Sequence, residues 1–412
     1  MAFNPILIIS LIIINIFIWL YSGFTFFSLI LDNNNISFNL PVIILFPLIY
    51  WISEFESKIN NNYYLYLLLF IFILLIISFI MNSLFLSSIY HECLIILLFL
   101  ILFIFIPSFH RIRTAFFSFL FPILGSIHFI LSLYYIVFSI PLFPLLVILP
   151  SLIKIPTFPS HYWLPEVHCE ANTPIPLSLA GLLLKSSIFG IIRFILRTSY
   201  LPLRSLSSIF IYTILLGIII INGSYFRYYD LKKTIALSPI LHLNLTFYSI
   251  LSSNSAGIYC GIVISLSHSL SSIGLSLFSG LLINKTFTRL LDAFFSISSI
   301  LRLILLFILS SNNSFPSSIN YIGEPSVLLA IISIDSIVSS FFLLISLLST
   351  LFRFIILNRK LPYNNNYYLF NFIYYLLLLY LLLNNYLLGI YYLFYSINYI
   401  LWTFYSIIIL FT

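Results

Sequence analysis

The chain has 412 residues, 62% of them hydrophobic and only 7% charged, with a mean hydropathy of +1.17. Soluble domains carry roughly 25% charged residues, so this much apolar surface has only lipid to hide in, and a water-soluble protein is excluded. The net charge of +7 comes from basic residues scattered through short loops, with no basic stripe or interleaved aromatics, which excludes nucleic acid and reads as membrane-edge anchoring.

Runs such as YYLYLLLFIFILLIISFIM lack the period-two alternation of a membrane barrel, so the expected class is an all-α polytopic membrane protein. Spans of about 20 residues leave room for about 14 helices and little loop. In chain order the apolar runs predict spans near 5–31, 39–56, 62–81, 84–106, 113–138, 140–160, 174–197, 205–226, 234–252 and 256–283. Further spans follow near 293–311, 319–334, 336–357, 367–384 and 387–411, the low-complexity tail reading as one long helix or two. Basic loops fall on both faces in similar numbers, so the positive-inside rule assigns no orientation.

The first run, MAFNPILIISLIIINIFIWL, has no basic residue before Lys58, unlike a secretory signal or an Arg-rich transit peptide. Phe, Tyr, Ile and Asn are abundant and Ala is scarce, as expected of an AT-rich coding genome. Both features predict a chain translated beside its own membrane, as in a mitochondrion.

Two predicted spans carry breakers. The 140–160 span contains Pro141, Pro144, Pro150, Pro156 and Pro159; the 319–334 span contains Gly323 and Pro325, with Pro316 just before it. Proline inside a membrane helix frees a carbonyl that must find another partner or a hydrated cavity, and paired broken helices in two halves of a chain mark an inverted-repeat transporter.

The same two spans hold Lys154 and Glu324, while Glu92 and Lys185 fall within the 84–106 and 174–197 spans. A charge at mid-membrane on an isolated helix costs about 2.5–3.5 kcal/mol, so each of these groups predicts a partner or a proton-carrying role. A lone lysine near a helix end could simply snorkel to the interface; four groups, two of each sign, are harder to read that way. If Glu92 neighbours Lys154, making and breaking that pair would switch the proton affinity of the amine, with Lys185 the next carrier and Glu324 an exit.

His161, His168, His242 and His268 titrate near neutrality and could join such a relay through water, although a neutral hydrogen-bonded imidazole is the plainer reading of any one of them. The small, hydroxylic segment SLSHSLSSIGLSLFSG predicts close helix packing, and His268 within it adds a wet path. His161 and His168, seven apart across HYWLPEVHCE, do not form a metal signature, and no metal site is expected. Cys93, Cys169 and Cys260 make no C-x-x-C pair, so they read as buried thiols, and no nucleotide-binding glycine loop occurs.

These motifs resemble a known family. KIPTFPSHYWLPEVHCEANTPIPLSLAGLLLKSSIFGIIR is similar to its Lys-x-Pro, His-x-Trp-Leu-Pro-x-x-His-x-Glu-Ala, Leu-Ala-x-x-Leu-Leu-Lys and Gly-x-x-Arg pattern; DLKKTIALSPILHLNL, SLSHSLSSIGLSLFSGLLINKTFTR, FPSSINYIGE and IYHECLIIL resemble further segments in the same order. The family is the subunit 4 group among the antiporter-like, Mrp-type proton-translocating subunits of mitochondrial NADH:ubiquinone oxidoreductase, respiratory complex I.

The resemblance covers about residues 84–330. It implies two inverted five-helix repeats, each with a discontinuous helix, here about 84–197 (beginning near 62 on a wider reading) and 205–357, followed by C-terminal helices over 358–412. It further implies Glu92 and Lys154 as a control pair, Lys185 as the central lysine, Glu324 as the distal carboxylate, and family positions for the four histidines. The implied location is the mitochondrial inner membrane, and the implied partners are other membrane-arm subunits, including neighbouring antiporter-like ones, and membrane lipids. NADH, FMN, iron–sulfur clusters and ubiquinone would belong to partner subunits, with no cofactor in this chain. Glu166, Ser269 and Pro325 depart from the pattern, the family usually having Lys and Gly at the first two positions. A free-standing cation/proton antiporter using the same residues, and a structural subunit whose charges only fasten helices, are the rival readings.

Overall fold

The computed structural model describes residues 25–26, 29–30, 33–56, 62–81, 83–105, 109–135, 151–197, 203–225, 227–251, 255–286, 288–289, 299–316 and 318–332, and Leu378, Leu381, Leu382, Asn385 and Tyr386. Most of the expected 5–31, 336–357, 367–384 and 387–411 spans, and residues 140–150 with Pro141, Pro144 and Pro150, lie outside them.

Among the described residues the chain is helical, apart from a two-residue antiparallel pair, β1 (Thr25–Phe26) and β2 (Leu29–Ile30), in register Thr25 with Ile30 and Phe26 with Leu29. That pair falls in the predicted 5–31 span. β-Branched and aromatic side chains suit an extended ribbon as well as a membrane helix, so the apolar run did not distinguish them.

Twelve helices follow among the described residues: α1 (Asn33–Glu56), α2 (Asn62–Ile80), α3 (Leu84–Phe105), α4 (Phe109–Tyr135), α5 (Trp163–Glu170), α6 (Pro174–Ser178), α7 (Leu184–Arg197), α8 (Leu203–Tyr225), α9 (Leu231–Leu251), α10 (Ser255–Thr286), α11 (Ser299–Asn312) and α12 (Ile319–Ile332). A π turn, Leu179–Leu183, joins α6 to α7, so the predicted 174–197 span is one apolar column with a widened middle. By length and composition, five stretches among the described residues can cross a membrane: Tyr63–Ile80, Phe85–Phe103, Pro174–Phe194, Leu231–Leu251 and Gly257–Asn284.

α2 shows how an all-apolar helix divides its faces. Tyr63, Tyr66, Phe70 and Ile73 point outward, at spacings of three or four, while Leu68, Ile71, Leu75 and Phe79 are buried against the neighbouring helices. α3, α4 and α8 present similar outer stripes, Phe85, Ile89 and Ile96 on α3 for example, as lipid or another apolar surface requires.

The centre is α10, 32 residues and about 48 Å long, which packs against α9, α12, α11 and the π turn. Several of its serines do not need water, because their hydroxyls donate to carbonyls three residues back: Ser265 to Ile262, Ser269 to Leu266 and Ser279 to Ser276, each within 2.8 Å. Close approach is built in by glycine. A Cβ at Gly323 on α12 would stand 2.5 Å from Ile264 Cγ1 on α10.

Candidate functional site

The first charged pair sits where the 140–160 span breaks. Residues Ser151–Lys154 make one helical turn, closed by the Ile155 amide donating to Ser151 O at 2.7 Å. Pro156 has no N–H for the Leu152 carbonyl, and the Thr157 hydroxyl donates to that carbonyl at 3.0 Å instead. The chain then runs through a 3₁₀ turn, Ser160–Tyr162, into α5. On the helical turn, Lys154 Nζ donates to Glu92 Oε1 on α3 at 2.5 Å, with the two side chains 10% and 23% exposed. The expected Glu92–Lys154 neighbourhood is thus present.

The second group of residues forms a file across four helices. Lys185, fully enclosed at the start of α7, donates to the Ala180 carbonyl inside the π turn, and its Nζ lies 3.3 Å from His268 Nδ1 on α10. The widened turn leaves room for the lysine to reach a carbonyl five residues back, and such bulges recur at functional sites. The His268 ring stands 5.0 Å, centroid to centroid, from that of His242 on α9, and His242 Nδ1 is 3.8 Å from Glu324 Oε1 on α12. The other Glu324 oxygen accepts from Ser314. Lys185, His268, His242 and Glu324 therefore stand in sequence, each within reach of the next.

Glu324 is placed by a turn upstream of α12. Gly323 and Pro325 were expected to break this span, but α12 runs unbroken through both. Pro325 lies on an exposed face in the second turn, where the carbonyl it frees, that of Tyr321, is near the helix start. The interruption lies instead at residues 313–318, between α11 and α12. There Ser314 takes a positive φ of 53°, and the Asn320 amide donates to the final carbonyls of α11, Ser311 O at 3.1 Å and Asn312 O at 3.4 Å. Asn320 Oδ1 and Asn312 Oδ1 accept from Ser267 and Ser271 of α10, fastening the turn to the central helix.

His161 and His168 are buried but stand apart from the file. His161 lies in the 3₁₀ turn beside Tyr162, and burial pushes its imidazole below the ordinary value, partly offset by the Pro159 backbone. His168 on α5 is pushed down to about 3 by burial and then by the charges of Lys232 and Lys185, so it is neutral at physiological pH. Around them runs a network of edge charges. Arg289 Nη1 donates to Glu170 at 3.1 Å, Arg111 approaches the same carboxylate at 3.8 Å, Lys233 pairs with Glu166 at 3.0 Å, and Lys232 donates to Ala171 O at 2.9 Å. Burial works against the Arg289 cation, yet Cys169 and Glu170 outweigh it and hold the group above its ordinary value. Glu166, where the family pattern has a lysine, thus serves as an anion for Lys233, and Ser269, where it has glycine, folds its hydroxyl back onto α10.

The sequence reading passed over His91. It precedes Glu92 on α3, is 9% exposed, and its Nε2 bonds to Ser186 Oγ, the residue after Lys185. The signal was present as a histidine in an apolar run, but its partner is 95 residues away. His91, Ser118, Lys154, Trp163 and Ser187 line a cavity of about 40 Å³ between the first pair and α7. On the far side of Trp163 a larger cavity, about 330 Å³, is lined by His110, Arg113, Tyr162, Glu166, Glu170 and Tyr228. Among the described residues no cluster of three or more His, Cys, Asp or Glu side chains could hold a metal.

Fold and site together define an all-α polytopic membrane protein in which one set of ionisable groups, Glu92, Lys154, Lys185, His242, His268 and Glu324, lies between helices, apart from the charges at its edge. Comparison with known families narrows that class. Residues 117–352, more than half of the chain, match the family described as NADH:quinone oxidoreductase/Mrp antiporter, TM, and the chain belongs to it. It is 31% identical over 351 residues to NADH-ubiquinone oxidoreductase chain 4 of Chondrus crispus, covering 79% of this chain and 70% of that protein. With the chain 4 protein of Acanthamoeba castellanii it shares 28% identity over 384 residues, 85% of this chain and 75% of the other. Among solved structures, a chain of an archaeal membrane-bound sulfane sulfur reductase superimposes with a TM-score of 0.82 at 15% identity, over 94% of this chain and 88% of that one. A chain of Thermus thermophilus respiratory complex I gives 0.79 at 17% identity, over 92% and 88%. At these identities the structural likeness speaks for the fold.

Proposed function

We propose that this chain is a proton-translocating membrane-arm subunit of an NADH:ubiquinone oxidoreductase, respiratory complex I, working in the mitochondrial inner membrane beside other membrane-arm subunits, neighbouring antiporter-like ones among them. The observation that carries the reading is the file Lys185, His268, His242, Glu324, preceded by the Glu92–Lys154 pair. Family membership and the chain 4 relatives supply the complex. NADH, FMN, iron–sulfur and ubiquinone chemistry belongs to partner subunits; this chain moves protons.

The pair is the switch. Lys154 Nζ donates to the Glu92 carboxylate at 2.5 Å, and the proton passes inward when a neighbouring subunit's movement lengthens that contact. Lys185, without a carboxylate beside it among its described contacts, accepts it; His268 and His242 pass it across α10 and α9, and Glu324 takes it out with Ser314 steadying the carboxylate. His161 and His168, neutral and set back from the file, act as hydrogen-bonding neighbours of the path. The helix interruptions at residues 155–159 and 313–318 are read as the paired breaks of two inverted repeats, about 84–197 and 205–357, with 358–412 as C-terminal helices.

Lys185→Met tests the reading. In the assembled complex, reconstituted into vesicles, protons moved per NADH oxidised should fall while assembly on native gels is retained. An assembled variant that pumps at the normal ratio overturns the relay and leaves the structural reading. Recovering the chain without NADH-oxidising partners would favour the free-standing antiporter.

A further inference from the structure

The relay above leaves a gap between Lys154 and Lys185, which sit on different helices with no contact between them among the described residues. The side chains that occupy this gap are His91 and Ser186.

Their geometry fixes a direction. Ser186 has one hydroxyl proton, and it is given to the Leu183 carbonyl at 2.5 Å. The serine oxygen must therefore accept from His91, which places the imidazole proton on Nε2 and leaves Nδ1 as the basic nitrogen. Nδ1 is buried with no hydrogen-bond partner among the described residues, in a side chain more than nine-tenths enclosed. A bare acceptor in such a place costs about 1–3 kcal/mol unless something reaches it. What shares its cavity is Lys154, and about 40 Å³ is room for one or two waters between them. Lys154 is the lysine that lines this cavity with His91, and Glu92 is its partner; Lys185 lies outside the lining, next to Ser186 in the chain.

We infer that His91 is a proton-carrying residue linking the two lysines, taking a proton at Nδ1 from the Lys154 side and releasing one at Nε2 to Ser186 on the Lys185 side. This rests on the relay reading and adds a member to it. The step balances as a proton shuttle. The Lys154 ammonium gives a proton, directly or through one water, to Nδ1. The imidazolium passes its Nε2 proton to Ser186 Oγ, and the serine, its hydroxyl turned from the Leu183 carbonyl, hands its own proton through water to the neutral amine of Lys185. Lys154 ends one proton poorer, Lys185 one richer, and the imidazole is left neutral as the Nδ1–H tautomer, which loss of that proton to water and uptake of one at Nε2 returns to the starting form.

His91→Gln in the assembled complex separates relay from scaffolding, because the amide can still donate to Ser186 but cannot carry a proton. Ser186→Ala removes one oxygen from the other end. Each should lower protons moved per NADH by roughly ten-fold or more in the steps that use this path. The double variant should be no worse than either single, since both cut one wire. An assembled His91→Gln complex with a normal ratio overturns the inference, as does a double variant whose loss is the product of the singles. If His91→Gln does not assemble, Ser186→Ala decides: a normal ratio there overturns it. Lys154→Met, run alongside, tells the failures apart. If it too pumps normally, the relay itself is wrong; if it is impaired while His91→Gln is normal, only the role of His91 fails.

Discussion

Replacing Glu92 with Gln keeps the shape of the contact to Lys154 and removes its charge. At the observed 2.5 Å and an effective dielectric constant near 20, the attraction between the two groups is about 7 kcal/mol before desolvation. Both side chains are mostly enclosed, at 10% and 23% exposure, so the ammonium left behind in Glu92→Gln has little water to turn to. Removing one member of such a pair costs about 3–5 kcal/mol. Lys154→Met should cost a similar amount by stranding the carboxylate. The double variant Glu92→Gln/Lys154→Met strands neither, so its stability should return to within about 1 kcal/mol of the parent. Function should not return with it: all three variants should have lowered protons moved per NADH, measured in vesicles with the assembled complex, while thermal unfolding of that complex follows the stranded charge. A double variant less stable than either single would refute the pairing energetics. An assembled Glu92→Gln complex with a normal proton ratio would refute the switch.

Gly323→Ala should place a methyl 2.5 Å from Ile264 Cγ1, forcing α12 away from α10 at a cost of about 1–3 kcal/mol; a lower unfolding temperature and weaker pumping are expected, because the 3.8 Å His242–Glu324 approach depends on the same seam. For His168, held neutral down to about pH 3, the unfolded chain takes up a proton below about 6.5 while the native one does not, so stability falls as pH drops through that window, by about 2 kcal/mol at pH 5. His168→Gln should flatten this acid limb in thermal unfolding measured from pH 7 to pH 5, and an unchanged limb would mean the histidine is not the group responsible.

How much of this was legible in the sequence depended on whether the signal was local. Helix positions were, because an apolar run bounded by Asn, Pro or charge carries its own boundaries: α2, α3, α8 and α9 lie within a few residues of the predicted spans. Buried charge was legible for the same reason, since a lone Glu92 or Lys185 in such a run must have a partner. The identity of the partner was legible only in part. Glu92 with Lys154 was expected, whereas the order Lys185, His268, His242, Glu324 requires α7, α9 and α12 to be placed around α10.

Proline shows the limit most clearly. Pro156 breaks its helix, and Thr157 covers the freed Leu152 carbonyl, while Pro325, on an exposed face near a helix start, breaks nothing. Residue type alone does not separate the two cases; what does is whether the next side chain has another acceptor or donor to offer and which way the freed carbonyl looks. The second interruption is made by Ser314 and Asn320, polar residues of a kind common in this chain, through bonds that exist only once α11 and α12 have met. His91 was missed on the same ground. Beside Glu92 it reads as one more polar residue two turns into a helix, and only the packing of α3 on α7 turns it towards Ser186 and places it at the cavity that Lys154 also lines. A proton path of this kind is a property of helix faces, and a single sequence records the groups that could serve it without recording which of them meet.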